Sequence, residues 1–400
     1  MAFAAASWAR FWRSGAPDDI ESIFGLVEPA EVELRDGCRH RAVGFGDAEY
    51  PRQAPTMVTS PRETAIAEAL AADASERFAT NVVVASPPTS AGEGMDNEIV
   101  FVQLAGDGLP ASWRGPLVVR VQPDVNRYEI AKAEVEVQRW CRTVDYPVPE
   151  VLALYEPGQL TSASAQVMVR VPGVPMLEAM VPAVWRAPSL VGRLADLHVR
   201  LHRTSTDGWP LPEVSLARRR LRPVRLWVDE LDGDHLVDVL ARVDGLLPYL
   251  EDHEVAPCHG DFHPLNIVVD GAAASVIDWT DAGLGDRHGD VARTQLLFRV
   301  AAVAATRKAE RALLRHLGPM LAKRYLRCYS AQLPLDRERL DTWEVVHLLH
   351  GWSQVLALHA GIIGRDRERE RVPPALATWL ERRLERRLDE AEAIAHRDGT

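Results

Sequence analysis

The spacing of apolar residues changes character once along the chain, near residue 173, and this change limits the possible folds. Before it, short runs rich in β-branched and aromatic residues predict strands around one helix, Tyr128–Cys141. The predicted strands are Thr80–Ser86, Glu98–Gly106, Gly115–Pro123 and Ala165–Gly173. After it, apolar residues recur every three or four positions, which is typical of helices. The predicted helices span 189–202, 235–250, 290–330, 336–362 and 373–396. We therefore expect an α+β fold with a sheet-rich N-lobe over 57–173 and a helical C-lobe over 174–400.

A helix start signal marks where regular structure begins. Ser60 is a good N-cap, Pro61 suits the first helical position, and Glu63 completes a capping box. Residues 1–56 show no sustained hydrophobic period, so we expect a poorly structured N-terminal extension. An over-extended start, with Met57 as the true first residue, is a hypothesis that mass spectrometry of the native N-terminus would test.

Composition narrows the classes of function. The net charge of −11 argues against a general nucleic-acid binder and is compatible with cationic ligands. No apolar run approaches the roughly 20 residues that span a bilayer, and the first residues lack the positive charges of a secretory signal. The four cysteines are scattered, which indicates free thiols in a reducing compartment. We therefore expect a cytoplasmic protein without nucleic-acid or membrane partners.

Residues that can carry chemistry concentrate in the motif CHGDFHPLN, where Asp261 and Asn266 lie five positions apart. Asn266 opens a short predicted strand, 266–270, and Asp278 lies near the end of the next one, 275–279. Strands joined by a short turn run antiparallel, so Asp278 is returned close to Asn266. Two carboxylates and one amide oxygen around a single point are suitable ligands for Mg²⁺.

The pattern HGDFHPLN…VIDWTDAGLGDRHGDVA resembles the aminoglycoside phosphotransferase and choline kinase-like family of small-molecule kinases. A His-x-Asp followed five residues later by Asn has the spacing of a kinase catalytic loop, whereas Trp279 replaces the protein-kinase Phe. The resemblance extends more loosely over about residues 80–330. It implies a protein-kinase-like two-lobe fold, with a small β-rich N-lobe and a larger, mainly helical C-lobe. It also implies transfer of the γ-phosphoryl group of ATP or GTP, with Mg²⁺, to a hydroxyl of a small molecule.

The resemblance implies two contacts with the nucleotide through the backbone. A phosphate-covering turn is expected between the first two strands, where Ser90, Gly92 and Gly94 supply N–H groups with little steric bulk. The strand that connects the lobes is expected to meet the adenine edge through backbone groups of Val169 and Val171.

The resemblance also implies a cation on the third strand, paired with a helix glutamate and with the α- and β-phosphates. Arg120 and Glu134 occupy these places. Protein kinases carry lysine here, and arginine keeps the charge but presents a planar fork instead of a point charge. This departure is expected to affect the rate of catalysis more than the fold.

The family's catalytic roles can be carried over to the loop residue by residue. Asp261 is expected to orient the substrate hydroxyl or accept its proton, while Asn266 and Asp278 hold Mg²⁺. His263 lies where kinases often carry a cation and is expected to contact the γ-phosphate. His259 is expected to support the loop by hydrogen bonding.

The acceptor is less constrained by the sequence. An aminoglycoside is one candidate, and a metabolic alcohol, sugar or amino alcohol is another; an acidic rim would help to capture a cationic acceptor. Asp281, Asp286 and Asp290 follow the metal motif, and Asp290 is expected to buttress the catalytic loop. His347 and His350 share a helical face and are expected to line the core or the acceptor pocket, with a metal role as the alternative.

Two other hypotheses compete with this assignment. A zinc site could use Cys258, His259 and His263, although no second pair of ligands stands out in the sequence. A catalytically weak nucleotide-binding protein that acts through partners is the second, and Arg120 in place of lysine is its best argument.

Overall fold

The computed structural model describes residues 60–90, 97–180, 185–231, 233–251, 253–305, 308–364, 369–370 and 372–398. The proposed extension 1–56 and the proposed start at Met57 therefore lie outside the described residues.

The strands of the N-terminal region are β1 (Val83–Val84), β2 (Thr89–Ser90), β3 (Glu98–Ala105), β4 (Pro116–Val121), β5 (Val151–Tyr155) and β6 (Ala165–Val169). They form one antiparallel sheet in the order β1-β3-β4-β6-β5, and β2 also pairs with β3. The register places Arg120 of β4 opposite Ile99 of β3 and Gln166 of β6, in the middle of the sheet.

Two helices pack against this sheet, α1 (Pro61–Phe78) and α3 (Tyr128–Thr143), and a single turn, α2 (Ala111–Arg114), lies between β3 and β4. The predicted capping box is present, because the Ser60 side chain accepts from Glu63 N–H and the Glu63 side chain accepts from Ser60 N–H. The apolar face of α1 and the inner face of the sheet enclose the smaller of two hydrophobic cores.

The remaining helices are α4 (Met176–Met180), α5 (Ala187–His202), α6 (Leu216–Val228), α7 (Asp234–Gly245), α8 (Leu247–Glu251), α9 (Arg287–Ala304), α10 (Lys308–Ser330), α11 (Arg337–Ala360) and α12 (Pro374–Asp398). They enclose the larger core, to which the C-terminal half of α3 also contributes. Helices α9 and α11 are buried on nearly all sides, whereas α12 covers α11 from outside with an amphipathic face. The α+β fold class is thus confirmed, and the boundary at residue 173 stays a prediction.

Five short strands lie in the helical region. They are β7 (Val174–Pro175), β8 (Val255–Cys258), β9 (Ile267–Asp270), β10 (Ala273–Val276) and β11 (Gly283–Asp286). Strand β9 pairs with β10 and with β7, and β8 pairs with β11, always antiparallel. The predicted hairpin is present, but its second strand begins and ends earlier than predicted, so Asp278 lies two residues beyond the end of β10.

Several predicted elements differ from the observed ones. Within the predicted strand Thr80–Ser86, only the two residues of β1 pair with β3. The predicted helix 290–330 is interrupted between α9 and α10. Helix α6 was not predicted, because five arginines and Pro223 obscure its apolar positions. Strands β5, β8 and β11 were not predicted either, because they are too short to show a period of two.

The contact between α9 and α11 leads to a prediction. A Cβ added to Gly289 would lie 2.8 Å from the ring of Trp343, whose indole N–H is held by Asp286 at 2.6 Å. Because the ring cannot give way, Gly289→Ala is expected to lower the free energy of unfolding by about 1–3 kcal/mol in urea titrations. Gly245→Ala is the control, since nothing lies within 4 Å of its added Cβ. An unchanged stability in Gly289→Ala would contradict this close packing.

Candidate active site

The hairpin β9–β10 brings Asp278 to the catalytic-loop motif. Its register pairs Val276 with Ile267, and the next N–H, of Ile277, donates to Asn266 O at 2.9 Å. Asp278 is therefore adjacent to Asn266 across the hairpin. The Asn266 side-chain N–H donates to Asp261 O at 3.0 Å, so the amide orients its oxygen away from the loop backbone.

A glycine shapes the turn before Asp261. Gly260 has φ +80°, and a Cβ at this position would collide with the carbonyl oxygen of Asp281. Arg220 of α6 donates to Gly260 O at 2.6 Å. The motif therefore needs glycine after His259, because the chain following β10 lies against the loop.

Asp261 is held by two cationic or polar neighbours. Its Oδ1 accepts from Nε and Nη2 of Arg293 at 3.0 and 2.7 Å, and its Oδ2 lies 3.2 Å from Nε2 of His263. Burial alone would raise the pKa of Asp261, but Arg293 and His263 hold this pKa well below its usual range. The carboxylate is therefore ionised at neutral pH, and its side chain is 25% exposed.

Arg120 connects the sheet, helix α3 and the hairpin. Its guanidinium forms an ion pair with Glu134 of α3 and another with Asp278, at 2.9 Å. The expected pair of Arg120 and Glu134 is thus observed. Thr280 donates to Oδ1 of Asp278 at 2.9 Å. Burial would raise the pKa of Asp278, but Arg120 and Thr280 hold it below its ordinary value.

Asp290, in the first turn of α9, holds the catalytic loop in place. Its Oδ2 accepts the N–H of His259 at 2.6 Å, and its Oδ1 accepts the N–H of Gly260 at 2.9 Å. Nε2 of His198 and of His202 lie 3.0 and 3.4 Å from Oδ2. The prediction that Asp290 buttresses the loop is confirmed.

Tyrosines of α10 fix the two histidines that face Asp290. Nδ1 of His198 lies 2.6 Å from the Tyr325 hydroxyl, and Nδ1 of His202 lies 2.6 Å from the Tyr329 hydroxyl. A carboxylate can only accept, so each Nε2–H donates to Asp290 and each Nδ1 accepts from its tyrosine. Burial lowers the pKa of His202 to about 4, and both rings are neutral.

The two histidines of the motif have different surroundings. Nε2 of His259 lies 3.1 Å from Ile277 O, and Nδ1 of His259 accepts from Asp261 N–H at 3.3 Å. This ring therefore connects the loop to the hairpin, as expected. His263 lies beside Asp261 and 3.4 Å from Nδ2 of Asn266. Its expected contact with a γ-phosphate stays a prediction.

Of the residues expected to bind the nucleotide through the backbone, some are described and some are not. Ser90 lies in β2 opposite Val100, whereas Gly92 and Gly94 lie outside the described residues. The N–H of Val169 donates to Glu150 O at 2.9 Å, and Val171 follows the end of β6. Their contacts with adenine stay predictions.

Sequence reasoning missed Arg293 and Arg220. Both side chains are almost completely buried, yet each reaches a carboxylate of the loop region. A signal for Arg293 exists in the sequence, because it is a charged residue inside the apolar run that follows Asp290. Arg220 gives no such signal among the neighbouring arginines of α6.

The zinc alternative is not supported by the described residues. Among them, the one group of three that brings potential metal ligands within 4.8 Å of one another is His198, His202 and Asp290. The hydrogen bonds of this group to tyrosines and to loop N–H groups already use its ligand atoms. Cys141 and Cys258 are buried and form no disulfide bond with another described residue. No helix within the described ranges is long and apolar enough to cross a membrane.

Comparisons with known proteins identify the family of the chain. A sequence model of the phosphotransferase enzyme family matches residues 89–326, more than half of the chain. An aminoglycoside 3'-phosphotransferase from Streptomyces fradiae is 28% identical over 269 residues, covering 64% of this chain and 91% of that protein.

Two solved structures show the same fold at low sequence identity. One is a thermostable mutant of an aminoglycoside phosphotransferase in a ternary complex with AMP-PNP and hygromycin B. It matches with a TM-score of 0.53 and 16% sequence identity, and the match covers 80% of this chain and 98% of that chain. The other is a choline/ethanolamine kinase family protein from Mesorhizobium loti, with a TM-score of 0.50 and 16% identity, over 78% of this chain and 94% of that chain.

The family model, together with the shared fold, places the chain among the kinase-like phosphotransferases. The chain belongs to the phosphotransferase enzyme family, whose members act on small molecules. The resemblance based on the motifs is thereby confirmed.

The buried pair of Arg120 and Glu134 leads to a prediction about stability. Removing one partner leaves a buried charge, so Arg120→Met or Glu134→Met is expected to cost about 3–5 kcal/mol. The double variant is expected to lower the free energy of unfolding by much less than the sum of the two single variants. Arg62→Met is the control, because its pair with Glu98 is exposed and contributes about 1 kcal/mol or less. Additive effects in chemical denaturation would contradict the coupling.

His202 leads to a prediction about pH. The pKa of His202 is about 4 in the folded chain, below the ordinary value of 6.5. Between pH 6.5 and pH 4, His202 therefore binds a proton in the unfolded chain but not in the folded chain. Stability therefore falls as pH falls through this window, by up to about 1.4 kcal/mol per pH unit for this residue. His202→Gln is expected to lower stability at pH 7 and to make its decline between pH 6.5 and 4 shallower. An unchanged slope would count against a neutral His202; His235→Gln, at a half-exposed ring, is the control.

Proposed function

We propose that this protein transfers the γ-phosphoryl group of ATP or GTP to a hydroxyl group of a small molecule, with Mg²⁺. One observation carries the proposal: the loop and hairpin bring Asp261, Asn266 and Asp278 together, with two ligand oxygens left available. Oδ1 of Asn266 and Oδ2 of Asp278 have no hydrogen-bond partner among the described residues. The relatives named aminoglycoside phosphotransferases support the type of reaction.

The donor set at this point fits Mg²⁺. Asn266 and Asp278 offer hard oxygen atoms, and the Asp278 side chain is 44% exposed, so water and phosphate oxygens can complete the coordination. A bound Mg²⁺ would neutralise charge on the phosphates and thereby favour transfer.

Asp261 is suited to positioning more than to strong basicity. Because its pKa is held well below the ordinary range, the carboxylate is a weak base but is always available to accept a hydrogen bond. In the reaction, the acceptor oxygen forms a bond to the γ-phosphorus, the bond from this phosphorus to the bridging oxygen breaks, and ADP or GDP leaves. The hydroxyl proton leaves the acceptor oxygen toward Asp261.

The groups around the nucleotide follow from the same assignment. We propose that Arg120 contacts the α- and β-phosphates while Glu134 fixes its guanidinium, and that His263 contacts the γ-phosphate. Ser90, Gly92 and Gly94 are proposed to cover the phosphates. The adenine edge is assigned to the backbone of Val169 and Val171.

A second candidate function is nucleotide binding without turnover. The observation that favours it is the ion pair of Arg120 with Asp278, because this cation occupies one oxygen of the proposed metal ligand. A protein of this class would bind nucleotide without releasing ADP on any acceptor.

The proposal is tested by ADP release from Mg-ATP with a panel of sugars, amino alcohols and aminoglycosides. Asp261→Asn is expected to lower kcat about 100- to 10,000-fold, because the acceptor hydroxyl loses its anionic partner. Asp278→Ala is expected to abolish turnover and the thermal stabilisation by Mg-ATP, because a metal ligand is removed.

Asp270→Asn is the matched control, since this exposed carboxylate ends strand β9 of the same hairpin. It should retain normal turnover. Activity that survives in both Asp261→Asn and Asp278→Ala would refute the assignment of the site. Stabilisation by Mg-ATP without ADP release on any acceptor would favour the second candidate.

A further inference from the structure

Three helices bring a second set of buried polar side chains to the catalytic loop. Arg220 comes from α6, Arg293 from α9, and His347 and His350 from α11. Each of these four residues is less than 10% exposed. We refer to them as the Arg–His cluster.

Contacts with the loop and with α9 place the cluster next to Asp261. Arg220 donates to Gly260 O, and Arg293 donates to Asp261 itself. His347 donates from Nε2 to Gly289 O at 2.7 Å, one helical turn before Arg293. The ring of His350 lies 6.1 Å from that of Trp227, two turns after Arg220 on α6.

Each member of the cluster keeps one polar atom without a partner. Within the described residues, nothing hydrogen-bonds to Nε of Arg220, Nη1 of Arg293, or Nδ1 of His347 and His350. Buried polar atoms of folded proteins are nearly always satisfied, so four such atoms in one neighbourhood indicate that a polar group belongs there. Two of the four are N–H groups of guanidinium ions, which suit an oxyanion.

The charges around the loop also argue against a polycationic acceptor. Asp261 is paired with Arg293, and Asp278 is paired with Arg120. Asp281 is paired with Arg220, at 3.0 Å. Each of these three carboxylates is thus paired with a guanidinium ion, and an incoming polycation would meet these guanidinium ions.

The histidines add no charge but add a hydrogen-bond acceptor. Burial, together with Arg220 and Arg293, holds the pKa of His347 and of His350 well below the usual range. The Nε2–H group of His347 donates a hydrogen bond to Gly289 O. In the neutral ring Nδ1 therefore carries no proton and can accept a hydrogen bond. The cluster therefore combines donors for an oxyanion with an acceptor for a hydroxyl.

We propose that the Arg–His cluster binds an oxyanion of the acceptor, so that the molecule phosphorylated by this protein is a hydroxylated carboxylate or phosphate and not a polycation. The proposal rests on the proposed phosphotransfer and specifies its substrate class. It replaces the expectation of a cationic acceptor, which rested on the net charge of the chain.

Calorimetric titration of the full chain with malonate, inorganic phosphate and spermidine tests the proposal, without and with saturating Mg²⁺ and AMP-PNP. AMP-PNP fills the γ-phosphate position, so any remaining phosphate binding belongs to another site. Malonate or phosphate is expected to bind and spermidine is not. Arg220→Gln is expected to weaken oxyanion binding at least about tenfold, because a charged hydrogen bond is lost.

Two further variants sharpen the titration. Arg218→Gln is the matched control, with the same change of charge on the same helix at an exposed ion pair with Glu251, and should bind oxyanions normally. Asp281→Asn removes the carboxylate that competes for Arg220 and is expected to strengthen oxyanion binding. This opposite effect keeps the test decisive if Arg220→Gln fails to fold. Oxyanion binding that is absent, or that is unchanged in Asp281→Asn, overturns the proposal.

Turnover separates the two sources of the oxyanion. Gluconate, glucose 6-phosphate and glucosamine are compared as acceptors: activity on gluconate assigns a carboxylate, and activity on glucose 6-phosphate assigns a phosphate. A preference for glucosamine overturns the proposal. Binding of AMP-PNP tests the nucleotide site of the proposed function, and binding of malonate or phosphate tests the Arg–His cluster. Each ligand is titrated independently, so failure of one proposal can be distinguished from failure of the other.

Discussion

The carboxylate of Asp290 is the constraint on which the rest of the site depends. It accepts two backbone N–H groups of the catalytic loop and two imidazole N–H groups of helix α5, all within the larger core. The histidines are spaced by four residues, and so are the tyrosines, Tyr325 and Tyr329, that hold them from α10. One buried anion thereby fixes the loop relative to three helices, and the position of Asp261 follows from it.

Arginine is the cation throughout this site, and its shape matters. The chain has only three lysines, and two of the guanidinium ions around the loop contact more than one group, whereas Arg293 donates twice to Asp261. Arg220 reaches both a carboxylate and a carbonyl oxygen, and Arg120 bridges two carboxylates. An ammonium ion is a point charge without this planar fork, so lysine would not reproduce the same geometry. Arg120 and Arg220 thus each join more than one element of the fold.

The site contacts that could be predicted from the sequence are local, whereas those that could not be predicted depend on how the helices pack. Asn266 and Asp278 could be placed together because one short hairpin connects them. The partners of Asp261 and Asp281 could not be predicted, since Arg293 and Arg220 lie on helices about 30 and 60 residues away along the chain. The packing of these helices determines which carboxylate each arginine contacts. Helix α6 itself was missed because arginines and a proline interrupt its apolar face.

The backbone of Asp278 has φ +65°, in the left-handed region that few residues with side chains adopt. Aspartate, asparagine and glycine tolerate this conformation best. Of these three, only aspartate carries an anion. Glutamate would keep the charge but would meet a steric penalty in the main chain before its longer side chain could reach Arg120. Two independent requirements, one from the polypeptide backbone and one from electrostatics, therefore select a single amino acid at this position.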